Sequence, residues 1–183
     1  MDVCRPVRER KKVRLGGMAK KGYCSSLKRW FVGLREHMVF TPDGRIAFML
    51  QLEGNRHDVQ GLYAFLETSF RGCLLADNGY WPKQDKRMEL EEHGITIIAC
   101  TRSNQKFRHT PGYAALLKKH RPHVERFIGL FDQQFNATRT QCRNFKNYVA
   151  RRLTKAMAHN ASRFINKEND WPINSVAHLR KVS

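Results

Sequence analysis

From Trp30 onward the chain alternates. Trp30, Val32, Leu34, Met38 and Phe40 are interleaved with Phe31, Gly33, Arg35 and His37, the period of a half-buried strand. Thr41-Pro42-Asp43-Gly44 reads as a turn, with Pro presetting φ and Gly able to take positive φ. Arg45 to Leu52 then reads as the return strand of a hairpin. Asn55 is placed to cap a helix with Asp58 in its first turn, and Val59, Leu62, Tyr63, Leu66 and Phe70 follow at helical spacing. The apolar run Cys73-Leu74-Leu75-Ala76 ends in Asp77-Asn78-Gly79, as a buried central strand ends before a turn. A polar helix over Lys83–Glu92, closed by Gly94, leads to a second buried strand over Ile95–Cys100. Strand, helix, strand in this order implies a parallel pair with a right-handed crossover.

Beyond it, Thr101–Lys119 reads as a long basic connection, and Pro122 suits the first position of a helix because its missing N–H costs nothing there. Val124, Phe127, Ile128, Phe131 and Phe135 form one stripe of that helix. A further helix over Arg143–Ile165 carries Phe145, Tyr148, Val149, Leu153, Ala156, Met157, Ala161 and Phe164 as a regular core face. The segment before Trp30, dense in Lys and Arg with Gly16 and Gly17, suits an arm more than a packed element. From Asp170-Trp171-Pro172 the chain reads as a loosely held tail.

Composition sharpens this picture mainly through charge. The 183 residues carry 34 Lys and Arg against 16 Asp and Glu, a formal net charge of +18, and 41% hydrophobic content is enough for a real core. Such a charge calls for a polyanion, and nucleic acid is the obvious partner. The apolar runs Ile95–Cys100 and Cys73–Ala76 are far too short to span a bilayer, and the basic start is followed by no apolar stretch of a signal peptide. The expectation is a cytoplasmic protein without a membrane partner. Five widely spaced cysteines with no C-x-x-C pair read as reduced thiols. His120 and His123 lie at helical spacing, but Pro122 between them argues against a shared metal-binding face.

Two carboxylates stand out. Asp77 follows the end of a buried strand, where ligands bind in α/β folds, although a turn-forming Asp is the better explanation when it is taken alone. Glu125 sits beside the apolar stripe of its helix, and in isolation a Glu complementing the helix dipole is the better reading. Together they are more informative, because a strand-end and a helix-borne carboxylate can converge on a divalent cation such as Mg²⁺, whose hard character demands oxygen ligands. Between Arg102 and Arg163 the basic residues far outnumber the two acidic ones, Glu125 and Asp132, which favours a phosphodiester substrate. Tyr80 and Trp81 are placed either to stack on an unpaired base or to pack beside the turn.

In order and interval these residues resemble bacterial insertion-sequence transposases of the DDE type. Val3-Cys4-Arg5, Gly22-Tyr23-Cys24 and Phe31-Val32-Gly33-Leu34-Arg35-Glu36-His37 are similar to the family's V-C-R, G-x-C and G-x-K-x-H elements. Gly54-Asn55-Arg56-His57-Asp58 and then Leu75-Ala76-Asp77-Asn78-Gly79-Tyr80 are similar to its D-K-G-Y block. Arg121-Pro122-His123-Val124-Glu125 is similar to its R-x-x-x-E signature. The resemblance implies an α/β, ribonuclease-H-like (retroviral-integrase-like) mixed sheet flanked by helices. It implies Asp77 and Glu125 as the second and third ligands of Mg²⁺ or Mn²⁺, with Arg121 close to the scissile phosphate. Lys118, Lys119, Arg126, Arg139, Arg143 and Trp81 are the accompanying candidates for contacting DNA at transposon ends and target, and a homo-oligomer is allowed.

The departures from the pattern are specific. The family's first catalytic Asp lies on a strand ending D-S-x-P-x-x-V-C-R, ahead of the position of Val3, so the first strand is missing from the expected sheet; Asp2 falls near the motif's proline and does not replace that ligand. Asn78 stands where Lys is commoner, and Lys118 and Asp132 stand where Tyr and Lys can flank the third carboxylate. The resulting expectation is a basic arm over residues 1–29, a partial ribonuclease-H-like catalytic domain over 30–166 and a tail over 167–183. Its function is DNA transposition by metal-dependent strand cleavage and transfer, from a truncated copy. The alternative is a DNA-binding remnant without catalysis that interferes with an intact transposase.

Overall fold

The computed structural model describes residues 14–24, 28–101, 109–137, 142 and 144–175. The chain divides into two compact units, residues 1–55 with 125–183, and residues 56–124.

The first unit is built on three antiparallel strands, β1 (Lys20–Cys24), β2 (Arg29–Phe40) and β3 (Ile46–Glu53), in the order β1-β2-β3. The expected hairpin is present: Leu34 pairs with Glu53 and Met38 with Met49, around the turn Thr41–Gly44. Gly44 has a φ of +82°, and a Cβ there would run into the Arg163 guanidinium and the Phe127 ring, so the turn needs glycine for both conformation and space. Strand β1 corrects the reading of the early segment as an arm. Leu15 and Ala19 are buried with Val32, Leu34 and Tyr148 in one apolar cluster, and Lys21 and Tyr23 pair with Val32 and Trp30. The charged side chains of a strand open on one face hid its period. Gly22 leaves no room for a side chain either, because the carbonyl of Gly54 lies where its Cβ would be.

Helix α4 (Phe145–Glu168) covers this sheet, capped by the Asn144 side chain accepting from the Asn147 N–H at 2.8 Å. Its buried face follows the expected apolar stripe only in part, with Phe145, Tyr148, Val149 and Ala156 packed into the core clusters. Tyr148, Arg152, Ala156, His159, Ser162, Arg163 and Asn166 are buried, whereas Leu153, Met157 and Phe164 are 45%, 71% and 59% exposed. The reason lies in what the sheet presents. Arg152 meets the Glu36 carboxylate and the Ala137 carbonyl, Arg163 donates to the Asp43 carbonyl, and Asn160 accepts from the Ile46 N–H (2.8 Å) while donating to the Ile46 carbonyl (2.9 Å). Backbone groups at the hairpin turn are satisfied by this polar face, and polar side chains so satisfied can be buried without penalty. The chain after α4 is tied back to it: Asn166 Nδ2 donates to the carbonyls of Pro172 and Ser175, and Arg163 Nη1 donates to Asn174 Oδ1. The described part of the expected loose tail, up to Ser175, is therefore held in place.

His159 is buried between the rings of Phe131 and Phe135, at 5.6 and 5.8 Å, and its Nε2 donates to the Gly44 carbonyl at 2.9 Å. Among the described residues its buried Nδ1 has no hydrogen-bond partner. Burial holds its pKa below the ordinary 6.5, opposed by the Gly44 hydrogen bond. A depressed imidazole pKa means the unfolded chain binds the proton more readily. Stability is thus complete above pH 6.5 and declines as pH falls below it, until the folded form is protonated too. Asp43, whose pKa is lowered chiefly by the Thr41 hydroxyl, adds its own loss only near and below 3.8. Thermal melts at pH 7.5 and 5.0 are expected to show a larger drop in Tm for the wild-type chain than for His159→Gln, which keeps a donor but does not titrate.

The second unit begins with α1 (Asp58–Tyr63), continued by a 3-10 turn over Ala64–Glu67. His57, not Asn55, occupies the cap position, and Phe70 lies beyond the helix, so the expected element is shorter at both ends. Strands β4 (Gly72–Ala76) and β5 (Ile95–Ala99) form the expected parallel pair, joined through α2 (Gln84–Glu92), which packs on β5. Only Leu74 of β4 is buried, and Leu75 is 37% exposed, so β4 is not the fully buried strand that its composition suggested. β5 is its one partner among the described residues.

Helix α3 (Pro111–Phe135) starts eleven residues earlier than expected, with Pro122 in its interior. Two prolines here satisfy the first-position rule, and the structure uses Pro111. Pro122 removes the N–H that would have bonded the Lys118 carbonyl. Phe127 and Phe131 are buried as expected, while Val124 and Ile128 are 39% and 43% exposed. The boundary between the two units falls within α3, after Val124.

Candidate active site

Asp77 follows the last residue of β4, and the ladder to β5 extends one step further through the Cys100 N–H bonding the Ala76 carbonyl at 3.0 Å. The Asp77 carboxylate caps a 3-10 turn over Asn78–Tyr80 by accepting from the Asn78 N–H at 2.8 Å, so the turn-forming role is real. It is not the whole role. Arg121 Nη1 lies 3.6 Å from Asp77 Oδ1, with the two side chains 58% and 51% exposed. Both interactions engage Oδ1. An ion pair this exposed contributes little to stability and is easily exchanged for other partners.

Two neighbours of Asp77 were not singled out by sequence. Cys100, at the end of β5, has its thiol pKa pushed up by burial first and by the Asp77 charge second, with Arg121 acting in the opposite sense, so it lies within the field of both. Nothing in its sequence context marked it. Asp58, the first residue of α1, lies against the turn: a Cβ on Gly79 would come within 2.8 Å of Asp58 Oδ2. Its signal was present in the matched Gly54–Asp58 block, but helix capping explained it equally well.

Glu125 is exposed on α3, one helical turn beyond Arg121, and belongs to the other unit. Because α3 begins at Pro111, Glu125 is far from the helix start, and the dipole explanation for it no longer holds. Lys118, Lys119 and Arg126 are exposed on the same helix, while Arg139 and Arg143 lie outside the described residues. Trp81 is partly exposed but enclosed: the His109 ring lies at 5.7 Å and the Arg87 guanidinium at 5.7 Å, and His109 in turn meets Tyr113 at 6.0 Å. His120 and His123 do meet ring to ring at 5.8 Å, yet no group of three or more His, Cys, Asp or Glu suited to a metal is present among the described residues.

These features define a basic, mixed α/β protein with a carboxylate and an arginine brought together at the carboxyl ends of two parallel strands. The chain belongs to the family described as transposase DDE domain, whose model matches residues 1–145, a span that includes Asp77, Arg121 and Glu125. No curated protein and no solved structure matches it. Membership ties the chain to DNA transposition and hence to DNA as substrate, and domains of this family generally use divalent metal ions. No helix among the described residues is long and apolar enough to cross a membrane.

Proposed function

We propose that the protein is a ribonuclease-H-like transposase catalytic segment that cleaves and joins DNA strands of an insertion sequence with Mg²⁺ or Mn²⁺. The observation that carries this reading is Asp77, an exposed carboxylate at the end of a parallel strand, 3.6 Å from Arg121 and inside the family span. The donor set fits a hard cation in kind, since Asp77 and Glu125 offer carboxylate oxygens, but it is two ligands of the three that such a site normally needs. The third belongs on the strand that the family pattern places ahead of Val3.

The residues of this chain then divide the work. Asp77 and Glu125 would hold the cation, which when bound activates the attacking oxygen and stabilises the leaving one. Arg121, already beside Asp77, neutralises the non-bridging oxygens of the scissile phosphate and orients it. Lys118, Lys119 and Arg126, with Arg139 and Arg143, hold the flanking backbone, and their contacts carry no sequence information. The Asn78 N–H keeps Asp77 Oδ1 in place and so aims Oδ2.

A second reading, a DNA-binding chain without catalysis, is favoured by the lack of any group of three or more metal-binding side chains among the described residues. Incubation with transposon-end DNA separates the two. The chain extended by a D-S-x-P strand ahead of Val3 is expected to nick that DNA in Mg²⁺ and not in a chelator. An extended chain that binds the DNA but leaves it intact in Mg²⁺ supports the second reading.

A further inference from the structure

The first unit carries an aromatic and cationic surface that none of these roles uses. On the β1–β2 pair, Tyr23 lies directly opposite Trp30, with ring centroids 5.2 Å apart, and the Lys21 ammonium sits 4.7 Å from the centre of the Trp30 ring. By strand alternation Trp30 is on the face that carries Val32 and Leu34, which are buried in the cluster with Tyr148. The covering stops at Val32. Trp30 is 52% exposed and Tyr23 43% exposed, a large cost in apolar surface for a chain that needs its core.

Charge points to what covers them. Lys21, Lys28 and Arg29 are exposed around the pair, and residues 14–35 contain no Asp or Glu at all. The platform is also held in place: Arg35 donates from Nη2 to the Tyr23 carbonyl at 2.9 Å and from Nε to the Gly54 carbonyl at 3.2 Å, fixing β1 against β2 and the end of β3. An apolar protein partner would have to cover the exposed charges of Lys21, Lys28 and Arg29 at its rim. A base has a π-face for each ring and a phosphate for each cation, which is the pattern of single-strand binding surfaces.

We propose that the Tyr23–Trp30 face is a stacking platform for an unpaired stretch of DNA, with Lys21, Lys28 and Arg29 on its phosphates. The site is separate from Asp77 and needs no metal, so it stands on DNA as the partner and not on strand cleavage. It is tested in the presence of a chelator by the affinity of the full chain for a labelled oligothymidylate and for a duplex of equal length. The double variant Tyr23→Ala with Trp30→Ala is expected to lose about 10-fold or more for the single strand and less than about two-fold for the duplex, where bases are already stacked. Tyr23→Phe with Trp30→Phe is expected to recover most of the loss, and circular dichroism to show both variants folded. Equal losses for single strand and duplex, or an unchanged single-strand affinity in a folded alanine variant, would overturn the proposal. Clear preference of the wild-type chain for the matching RNA strand would overturn the assignment to DNA. Because chelation silences cleavage, a failure here leaves the transposase reading untouched, and a failure of cleavage leaves the platform untouched.

Discussion

Replacement of Glu36 by Ala is expected to destabilise the first unit by about 3–5 kcal/mol, the cost of leaving a buried charge without its partner. Arg152 is the charge in question. Its side chain is 4% exposed and that of Glu36 is 10% exposed, and the guanidinium meets the carboxylate through two nitrogens, Nε at 2.8 Å from Oε1 and Nη2 at Oε2. Arg152 Nη1 donates to the Ala137 carbonyl, and Gln51 Nε2 donates to Glu36 Oε1 at 2.9 Å, so the pair is satisfied on both sides. Truncating Glu36 removes the acceptor but leaves the guanidinium where water cannot reach it. The pair itself is a different matter, since desolvation offsets most of its attraction. Glu36→Leu with Arg152→Met is therefore expected to be far more stable than Glu36→Ala alone, and Glu36→Gln to fall between them because it keeps an acceptor. Urea denaturation followed by tryptophan fluorescence measures all three. A single variant no less stable than the double one would show that Arg152 finds water or another partner.

That pair also marks where sequence reasoning stopped. The hairpin of β2 and β3 and the parallel pair of β4 and β5 were legible because their signals are local: a strict two-residue period, a Pro-Asp-Gly turn, short apolar runs ending in turn residues. β1 was not, because Lys20 and Lys21 put a charge on each face and the less exposed face, of Lys20, Gly22 and Cys24, buries only a glycine. The orientation of α4 was not legible either. Its apolar residues do recur at helical spacing, but Arg152, His159, Arg163 and Asn166 are buried because Glu36, Gly44, Asp43 and the segment after Trp171 supply their partners. Those partners are about 115 residues away or in an irregular segment, and no periodicity can announce them. The start of α3 failed for a third reason, since Pro111 and Pro122 carry the same local signal. In the candidate site, Asp77, Arg121 and Glu125 were picked out by the order of three short motifs, not by any one of them. What only the fold supplies is the 3.6 Å approach of Arg121 to Asp77, which joins a strand end to a helix 44 positions later.

Asp77→Ala is expected to reduce Mg²⁺-dependent cleavage by the chain carrying a D-S-x-P strand ahead of Val3 by more than the roughly 10–100-fold typical of losing a residue that merely supports a metal ligand, while leaving DNA affinity within about two-fold. The separation follows from where the charges are. On the proposed reading DNA is held by phosphate contacts from exposed cations, and the chain's +18 does not depend on one carboxylate. Binding by the wild-type chain is expected to weaken steeply with salt, by about 10³-fold or more between 50 and 200 mM if six or more phosphates are neutralised. Asp77→Ala leaves that slope unchanged. Removal of Asp77 also frees Arg121 from its ion pair, which pulls affinity slightly upward and cannot imitate a loss of binding. Arg121→Ala is expected to behave in the complementary way, lowering cleavage and taking about one unit from the salt slope, because on the proposed reading this side chain neutralises a phosphate as well as orienting it. Filter binding across the salt series and single-turnover cleavage on the same DNA measure both quantities for each variant. Retention of full cleavage by Asp77→Ala would remove Asp77 from the metal site and return it to the turn-forming role that its bond with the Asn78 N–H already fulfils.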